Sequence, residues 1–191
     1  MRVLAIVLAA GEGRRMGGPK ALLRLGETTF LAHACRLLAR PGVSSVIAVL
    51  GAEAERVRAK AGLPADVKVV VNERWPEGML SSVWRGLDAA EAADAVLLHP
   101  VDHPLVHAST VDRVVQALAS SAAIAVPTWE GRRGHPGGFH RSVFPELRAA
   151  SPDRGARAVL AADPARVVHV PGDAGCVAGI DTPADYERAL S

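Results

Sequence analysis

The sequence predicts an α/β protein with three layers, in which helices flank a mostly parallel sheet. Short apolar runs that are typical of buried strands alternate with segments of helical periodicity, and this order favours crossover connections between parallel strands. The 191 residues are 49% hydrophobic but only 4% aromatic, so small aliphatic side chains must build the core. That composition suits a layered α/β protein better than a β-sandwich, and the length fits a single domain over residues 1–191.

Each element follows from its local pattern. A continuous apolar run predicts the first strand at 3–8, just before Gly11. The first helix is expected at 29–39, where Leu31, Cys35 and Leu38 have helical spacing and Pro41 marks the end. The same reasoning predicts the remaining elements, which are strands at 46–50, 67–71, 95–98, 123–126 and 167–170 and helices at 53–61, 80–90, 110–118, 155–162 and 183–190.

The alternation of strands and helices breaks after Pro127. Four glycines follow closely, at positions 131, 134, 137 and 138. Clustered glycines next to strand-forming residues predict a β-hairpin or a long loop, because glycine supplies the backbone angles that tight turns need. We therefore expect a small β-hairpin region after residue 127.

Charge, hydropathy and cysteine content indicate which partners and which cellular compartment to expect. The 22 basic and 20 acidic residues give a net charge of +2 with no long run of like charges, which argues against a nucleic-acid partner. No apolar stretch has the length of a membrane span, so no membrane partner is expected. Cys35 and Cys176 form no CxxC pair, as is typical of a reduced, intracellular protein. These features predict a soluble, cytoplasmic protein.

A glycine-rich loop after the first strand carries the main functional signal. It reads Leu8-Ala9-Ala10-Gly11-Glu12-Gly13-Arg14-Arg15-Met16-Gly17-Gly18-Pro19-Lys20. Small residues let backbone N–H groups approach phosphate oxygens, and Arg14, Arg15 and Lys20 can neutralise a polyphosphate. Open parallel sheets bind ligands at the carboxyl ends of their strands, where this loop is expected. The loop therefore predicts a polyphosphate site, with an ordinary turn between strand and helix as the alternative.

Two better-known phosphate loops are excluded by spacing. The dinucleotide-binding fingerprint needs a glycine three positions after its second glycine, but Gly17 stands one position late. It also needs an acidic residue about twenty positions farther on, where Leu31 and its neighbours lie. A Walker A loop needs Ser or Thr after its lysine, whereas Ala21 follows Lys20. The loop belongs to neither class.

Two aspartates are placed where they could hold Mg²⁺, which binds one or two carboxylates and keeps several waters. Asp102 follows a predicted strand, so it is expected at the same sheet edge as the glycine-rich loop. Asp181 follows a short apolar stretch and precedes a helix that begins at Pro183. A solvated turn at Asp102 and an N-cap role for Asp181 are the alternatives, since Asp-Thr-Pro is also a good helix start.

Histidines near Asp102 raise the question of a zinc site. A spacing of four would align His99, His103 and His107 on one helix face. Pro100 and Pro104 interrupt any helix through these positions, which argues against zinc.

Several motifs, in order along the chain, resemble the molybdenum cofactor nucleotidyltransferases, which are the MobA-like and especially the MocA-like cytidylyltransferases. They are the glycine-rich loop, Glu77-Gly78-Met79-Leu80-Ser81-Ser82, Pro100-Val101-Asp102-His103-Pro104, Gly131-Arg132-Arg133-Gly134-His135-Pro136 and Gly179-Ile180-Asp181-Thr182-Pro183. The resemblance implies a Rossmann-like fold of the nucleotide-diphospho-sugar transferase type. It also implies a Mg²⁺-dependent enzyme that transfers a nucleoside monophosphate from a triphosphate to a phosphorylated acceptor and releases pyrophosphate.

The resemblance also assigns roles to individual residues. Contacts to the nucleotide are expected from Leu8, Ala9, Ala10, Gly11, Gly13, Arg14, Lys20, Asn72, Ser81 and Ser82. The expected catalytic residues are Lys20, Arg15 and Asp102, the expected Mg²⁺ ligands are Asp102 and Asp181, and the expected acceptor contact is His135. Helix capping by Ser81 or Ser82 is the open alternative for the two serines. Relatives carry other residues on either side of the aspartate, where this chain has Val101 and His103, so no role is assigned to His103.

The resemblance also implies which nucleotide is preferred and which acceptor is used. Ala10 favours CTP over GTP, because guanylyl relatives usually carry a second glycine there. The implied acceptor is molybdopterin or the molybdenum cofactor, with a molybdoenzyme or its maturation factor as a further partner. One alternative is a related transferase that acts on a sugar phosphate, phospholactate or another small phosphate. The other is an accessory protein that binds nucleotide without turnover, against which the presence of Asp102 and Lys20 argues.

Overall fold

The computed structural model describes residues 1–151 and 155–190, which form helices packed on both sides of a mixed sheet. The strands are β1 (Val3–Ala9), β2 (Arg24–Leu25), β3 (Thr28–Thr29), β4 (Val43–Leu50), β5 (Lys68–Val71), β6 (Ala95–Pro100), β7 (Ile124–Trp129), β8 (Arg132–Arg133), β9 (Gly137–His140) and β10 (Val167–Pro171). The helices are α1 (Phe30–Leu38), α2 (Ala54–Lys60), α3 (Met79–Ala89), α4 (Ala108–Ala119), α5 (Phe144–Ala149), α6 (Ala156–Ala162), α7 (Ala174–Val177) and α8 (Pro183–Leu190).

The order of strands gives the sheet its mostly parallel character. From one edge to the other the strands are β10, β7, β9, β6, β1, β4 and β5, and β8 pairs with β7. Strand β1 pairs in parallel with β4 and β6, and the β4–β5 and β7–β10 pairs are parallel too. Strands β8 and β9 run antiparallel to their neighbours. The predicted α/β class, a mostly parallel sheet between helices, is confirmed.

The central strand β1 is buried on both faces. Alternate residues of β1 belong to one apolar layer, which includes Val7, Leu31 of α1 and Val111 of α4. The intervening residues belong to the opposite layer, which includes Ile6 and Leu87 of α3. A strand covered on both faces has no polar side, which explains why the sequence of β1 is continuously apolar.

The predicted helices and strands all occur, with ends that shift by a few residues, and the last helix has the predicted bounds. The sequence analysis missed the β2–β3 pair and the short helices α5 and α7, because elements of two to six residues are too short to show a period. Within the described ranges, no helix is long and apolar enough to cross a membrane.

The region after residue 127 contains the predicted hairpin and one strand that was not predicted. Glu130 and Gly131 join β7 to β8, and their φ angles of 47° and 74° fit a two-residue type I′ turn. Strand β9, however, lies in the main sheet between β6 and β7. Packing requires a glycine in β9, since a Cβ at Gly138 would lie 2.8 Å from Cγ1 of Val114 in α4. Two of the clustered glycines therefore belong to a strand and not to a turn.

We expect Gly86→Ala to destabilise the fold, although alanine is the better helix former. Gly86 lies in α3, and a Cβ there would be 2.6 Å from Cγ2 of Ile6 in β1. Overpacking a dense core costs about 1–3 kcal/mol, whereas alanine in place of a helical glycine gains about 1 kcal/mol. A urea midpoint below that of the wild type is the expected result. A higher midpoint would show that α3 moves away from β1 at little cost.

Candidate active site

The carboxyl ends of β1 and β6 open onto a cleft of about 560 Å³. The parallel register places Leu8 of β1 opposite Pro100 of β6, so the two strands end side by side. Open α/β sheets bind ligands at this edge. The cleft is lined by residues of the glycine-rich loop, the start of α3 and the end of β6, which are Leu8, Ala9, Ala10, Gly11, Glu12, Gly13, Arg14, Arg15, Lys20, Ala21, Trp75, Pro76, Gly78, Met79, Ser82, Pro100, Val101 and Asp102.

The glycine-rich loop folds back on itself at Gly13. The Gly13 carbonyl accepts hydrogen bonds from the amides of Met16 and Gly18 at 2.8 and 3.3 Å. Gly13 has a φ of 66°, and a Cβ there would lie 1.9 Å from the Gly18 carbonyl oxygen, so only glycine fits. Gly11, in contrast, is exposed, and a Cβ there would meet no described atom within 4 Å. The backbone around Gly11 is therefore open to a ligand.

Lys20 joins two carboxylates that are distant in the sequence. Its Nζ donates to Oδ2 of Asp102 at 2.9 Å and to Oδ1 of Asp181 at 2.6 Å. The same Asp181 oxygen accepts a hydrogen bond from Nη2 of Arg15 at 3.0 Å. The side chains of Lys20 and Asp102 are 15% and 21% exposed, whereas that of Asp181 is 48% exposed. The structure thus brings the predicted catalytic residues and the predicted metal ligands into one cluster.

Partial burial opposes the charges of this cluster, and the ion pairs outweigh it. Burial raises the pKa of Asp102, but hydrogen bonds from His103 and Lys20 lower that pKa more and hold it well below its usual range. Burial lowers the pKa of Lys20, but hydrogen bonds to Asp181 and Asp102 raise it above its ordinary value. Both groups are therefore charged at neutral pH.

Asp181 lies next to the cleft-lining Lys20 and directly before the capped start of helix α8. Thr182 Oγ1 accepts a hydrogen bond from the amide of Asp185 at 3.2 Å, and Asp185 Oδ2 accepts one from the amide of Thr182 at 2.8 Å. This reciprocal pair has the pattern of a capping box, so the capping role considered for Asp181 belongs to Thr182. The amide of Ile180 donates to the Asp102 carbonyl at 2.8 Å, which fixes the segment of Asp181 beside the end of β6.

Asp102 and Asp181 fit a divalent cation. An oxygen of each carboxylate accepts a hydrogen bond from the same positive atom, Lys20 Nζ, so the two carboxylates are close enough to share a cation. Magnesium and manganese accept one or two carboxylates and complete their shells with water and phosphate oxygens. In the described part of the chain, no group of three or more His, Cys, Asp or Glu could hold a metal ion. The carboxylate pair therefore suits a hard cation better than zinc.

Asn72, Ser81 and Ser82 form a buried, hydrogen-bonded group at the start of α3. Asn72 Nδ2 donates to Oγ of Ser81 at 2.8 Å and to Oγ of Ser82 at 3.0 Å. Ser81 Oγ lies 2.8 Å from the carbonyl oxygens of Arg74 and Gly78, to which its hydroxyl can donate. Neither serine caps α3, whose N-cap residue is Gly78. Ser82 lines the cleft, whereas Asn72 and Ser81 lie behind its wall.

A second cavity of about 570 Å³ adjoins the cleft and shares Leu8, Met79 and Pro100 with it. Most of its wall is apolar and comes from β6, β7, β9, α3 and α6, through Leu80, Val83, Leu98, Val126, Phe139, Ala158, Leu160 and Ala161. Arg133, His135 and Arg157 also line this cavity. It therefore combines a large apolar surface with a few polar groups, as ligand sites commonly do.

His135, the predicted acceptor contact, lies in this second cavity. Its amide donates to the Cys176 carbonyl at 2.9 Å, and its Nδ1 is buried without a hydrogen-bond partner in the described structure. Burial, and after it the charge on His103, lowers the pKa of His135 to about 3. The ring is therefore neutral at neutral pH and can offer a hydrogen bond to a ligand, while Arg133 and Arg157 supply positive charge.

Two residues near the site were not found from the sequence. Nδ1 of His103 lies 2.9 Å from Oδ1 of Asp102, and the signal that could have shown this was the adjacency of the two residues. Arg157 lines the second cavity through the packing of α6, and nothing in its sequence context marks it.

Comparison with known proteins agrees with this geometry. The family described as the MobA-like NTP transferase domain matches residues 5–168. The chain is 35% identical over 170 residues to nicotine blue oxidoreductase of Paenarthrobacter nicotinovorans, covering 85% of this chain and 83% of that protein. It is 37% identical over 139 residues to molybdenum cofactor guanylyltransferase of Cereibacter sphaeroides, covering 71% of this chain and 67% of that protein.

A solved structure with the same fold contains a bound metal. The crystal structure of Rv0371c from Mycobacterium tuberculosis in complex with manganese matches with a TM-score of 0.81 and 30% identity, covering 100% of this chain and 98% of that one. Divalent metal binding therefore occurs in the family, whose members use nucleoside triphosphates and phosphorylated acceptors. The matched domain covers most of the chain and confirms the resemblance found in the motifs. This chain belongs to the MobA-like NTP transferase family and is a nucleotidyltransferase.

Proposed function

We propose that this enzyme transfers a nucleoside monophosphate, with CMP favoured, from its triphosphate to a phosphorylated acceptor, with molybdopterin or the molybdenum cofactor favoured. The observation that carries the proposal is the meeting of Lys20, Asp102 and Asp181 beside a glycine-rich loop in one cleft. Transfer from a triphosphate needs positive charge along the phosphates and carboxylates that hold Mg²⁺. This cluster offers both within hydrogen-bonding distance.

In this proposal the triphosphate lies along the glycine-rich loop. Consecutive residues, most of them small, line the cleft, which supports contacts between their backbone and the phosphates. These residues are Leu8, Ala9, Ala10, Gly11 and Gly13. Arg14, Arg15 and Lys20 line the same cleft and supply positive charge. The nucleoside then lies toward Ser82, whose hydroxyl accepts a hydrogen bond from Asn72, and Asn72 also donates to Ser81.

The preference for CTP over GTP depends on Ala10, where guanylyl relatives usually carry glycine. Ala10 lines the cleft and is buried. The proposed preference for CTP therefore rests on the resemblance of this position to the cytidylyl branch.

The reaction is an in-line attack by a phosphate oxygen of the acceptor on the α-phosphorus of the triphosphate. The new P–O bond forms as the bond to pyrophosphate breaks, and no protein nucleophile is needed. Lys20 and Arg15 stabilise the negative charge on the phosphates. Asp102 and Asp181 would hold Mg²⁺, which would supply positive charge to the phosphate oxygens.

The second cavity supports an acceptor with a flat ring, which can stack on apolar walls, and an anionic group. Walls such as Leu98, Val126 and Phe139 offer no hydrogen bonds to the hydroxyl groups of a sugar. Arg133 and Arg157 can pair with a phosphate. These features suit molybdopterin, and its choice over a sugar phosphate or phospholactate rests on the motif resemblance. A molybdoenzyme or its maturation factor is the proposed partner that receives the product.

An oxidoreductase is a second candidate function, because one relative is named nicotine blue oxidoreductase and the second cavity is largely apolar. Nucleotidyl transfer is favoured over it, since electron transfer to an organic compound has no need for paired carboxylates around a lysine.

Purified protein with Mg²⁺, molybdopterin and CTP is expected to release pyrophosphate, and to do so more slowly with GTP. A pocket that fits one base leaves polar groups unpaired with another base, which discriminates strongly. Parallel assays replace molybdopterin by a sugar phosphate or phospholactate. A separate assay supplies NADH or NADPH together with an organic electron acceptor and follows the oxidation of the nicotinamide. Faster release with GTP would contradict the base preference. Nucleotide binding with no pyrophosphate from any pair would favour a protein without turnover, and oxidation of the nicotinamide would favour the second candidate.

Lys20→Ala is expected to lower turnover by roughly 100-fold or more, because a preorganised charge at the phosphates contributes about that much. Lys60→Ala is the matched control, since it removes the same charge from the exposed end of α2. It should turn over like the wild type. Normal turnover in a Lys20→Ala variant with an unchanged circular dichroism spectrum would remove Lys20 from the mechanism.

Asp102→Asn should abolish nearly all Mg²⁺-dependent turnover, because it keeps the size of the side chain and removes the charge that binds the cation. Turnover is measured over a series of Mg²⁺ concentrations. The exposed Asp66→Asn is the control and should behave like the wild type. If Asp102→Asn keeps normal activity at ordinary Mg²⁺, the cation is held elsewhere, and Asp181→Asn is the next variant to measure.

A further inference from the structure

We propose that His103 is a positioning residue that holds the Asp102 carboxylate in the orientation that metal binding needs. This inference rests on the proposed role of Asp102 as a metal ligand. His103 Nδ1 lies 2.9 Å from Oδ1 of Asp102, while Oδ2 accepts a hydrogen bond from Lys20. An ionised carboxylate can only accept, so Nδ1 carries the proton and donates. One oxygen is thereby held by His103, and the other faces Lys20 and Asp181.

The imidazole of His103 is itself held between two neighbours. Its ring meets the ring of His135 edge to face, with centroids 4.6 Å apart and planes at 67°. On the segment that carries Asp181, a Cβ at Gly179 would lie 3.3 Å from Cε1 and 3.4 Å from Nε2 of His103. Glycine at 179 therefore leaves just enough room for the ring. With 16% of its side chain exposed, His103 has little freedom to turn away from Asp102.

The backbone around His103 is fixed as well. The amide of His103 donates to the carbonyl of Pro100 at 3.3 Å, which makes a turn at the end of β6. The amide of Ile180 donates to the carbonyl of Asp102 at 2.8 Å. The ring of His103 thus lies where the end of β6, the segment before Asp181 and the wall of the second cavity meet. Partners behind a metal ligand orient it and typically contribute 10- to 100-fold in metal affinity, as estimated roughly from other metal sites.

The alternative is that His103 only fills space, and three substitutions separate the two roles. His103→Ala removes both the hydrogen bond and the volume of the ring. His103→Leu keeps most of the volume without a donor. His103→Asn provides an amide N–H near the position of Nδ1. A positioning role requires that Asn restores what Ala and Leu lose, whereas a space-filling role requires that Leu restores it.

The experiment measures the binding of Mn²⁺ alone to the whole protein by electron paramagnetic resonance. We expect His103→Ala and His103→Leu to weaken Mn²⁺ binding by about 10-fold or more, and His103→Asn to recover most of it. His169→Ala removes a histidine from the exposed face of β10 and should bind Mn²⁺ like the wild type. Turnover should show a lower kcat in the Ala and Leu variants with little change in KM for the triphosphate. Tight binding by the Leu variant, or an Asn variant no better than Ala, would overturn the positioning role.

Gly179→Ala tests the same contact without changing His103, which covers the case of a His103 variant that does not fold. The added methyl group should push the ring and weaken Mn²⁺ binding, and it should have a much smaller effect in the His103→Ala background. Equal effects in both backgrounds would contradict the inference.

Asp102→Asn distinguishes a failure of the positioning role from a failure of the proposed metal site. If it abolishes Mn²⁺ binding while every His103 variant binds normally, the metal site stands and the positioning role fails. If Asp102→Asn binds Mn²⁺ normally, the proposed metal site itself is wrong.

Discussion

The ion pair between Lys20 and Asp102 is the interaction on which the rest of the site depends. The two residues are 82 positions apart and both are largely shielded from water. A shielded charge without its partner is strongly destabilising, so the fold must bring the two together. Lys20 reaches Asp102 only because the glycine-rich loop turns back at Gly13, where a side chain has no room. Asp102 is within reach because β6 pairs with β1 in parallel register.

The third charged group of the site is tied to the same frame by backbone contacts. The hydrogen bond from Ile180 to the Asp102 carbonyl connects the segment before α8 to the end of β6. Thr182 and Asp185 begin α8 just after Asp181, so this carboxylate lies between two fixed points. Sites built on such rigid supports keep their geometry without a ligand, which lowers the cost of binding one.

The sequence predicted most of the sheet because burial on both faces leaves continuous apolar runs, as in β1. It also pointed to the members of the charged cluster, because Lys20 lies in the glycine-rich loop after β1, Asp102 follows β6, and Asp181 belongs to a motif before the last helix. What it missed depends on contacts between distant segments. The glycines of β9 resemble a turn, but Gly138 is needed where α4 packs closely. Asn72 and Ser81 remain predicted nucleotide contacts, but their hydrogen bond to each other behind the cleft wall could not be predicted from the sequence. The proposed role of His103 depends on its contacts with His135 and Gly179, which lie in other segments of the chain.

The antiparallel strand β9 explains why a second cavity lies beside the cleft. It lies between β6 and β7, and its successive residues point to opposite faces of the sheet. Gly137 and Phe139 line the cavity on the face covered by α3 and α6, while Gly138 on the other face lets α4 approach. The cavity and the cleft then share Leu8 and Pro100, which are register partners at the ends of β1 and β6. Two ligands that occupy the two spaces can meet only across this shared wall, next to Asp102. A reaction that joins them would therefore take place beside the charged cluster of Lys20, Asp102 and Asp181.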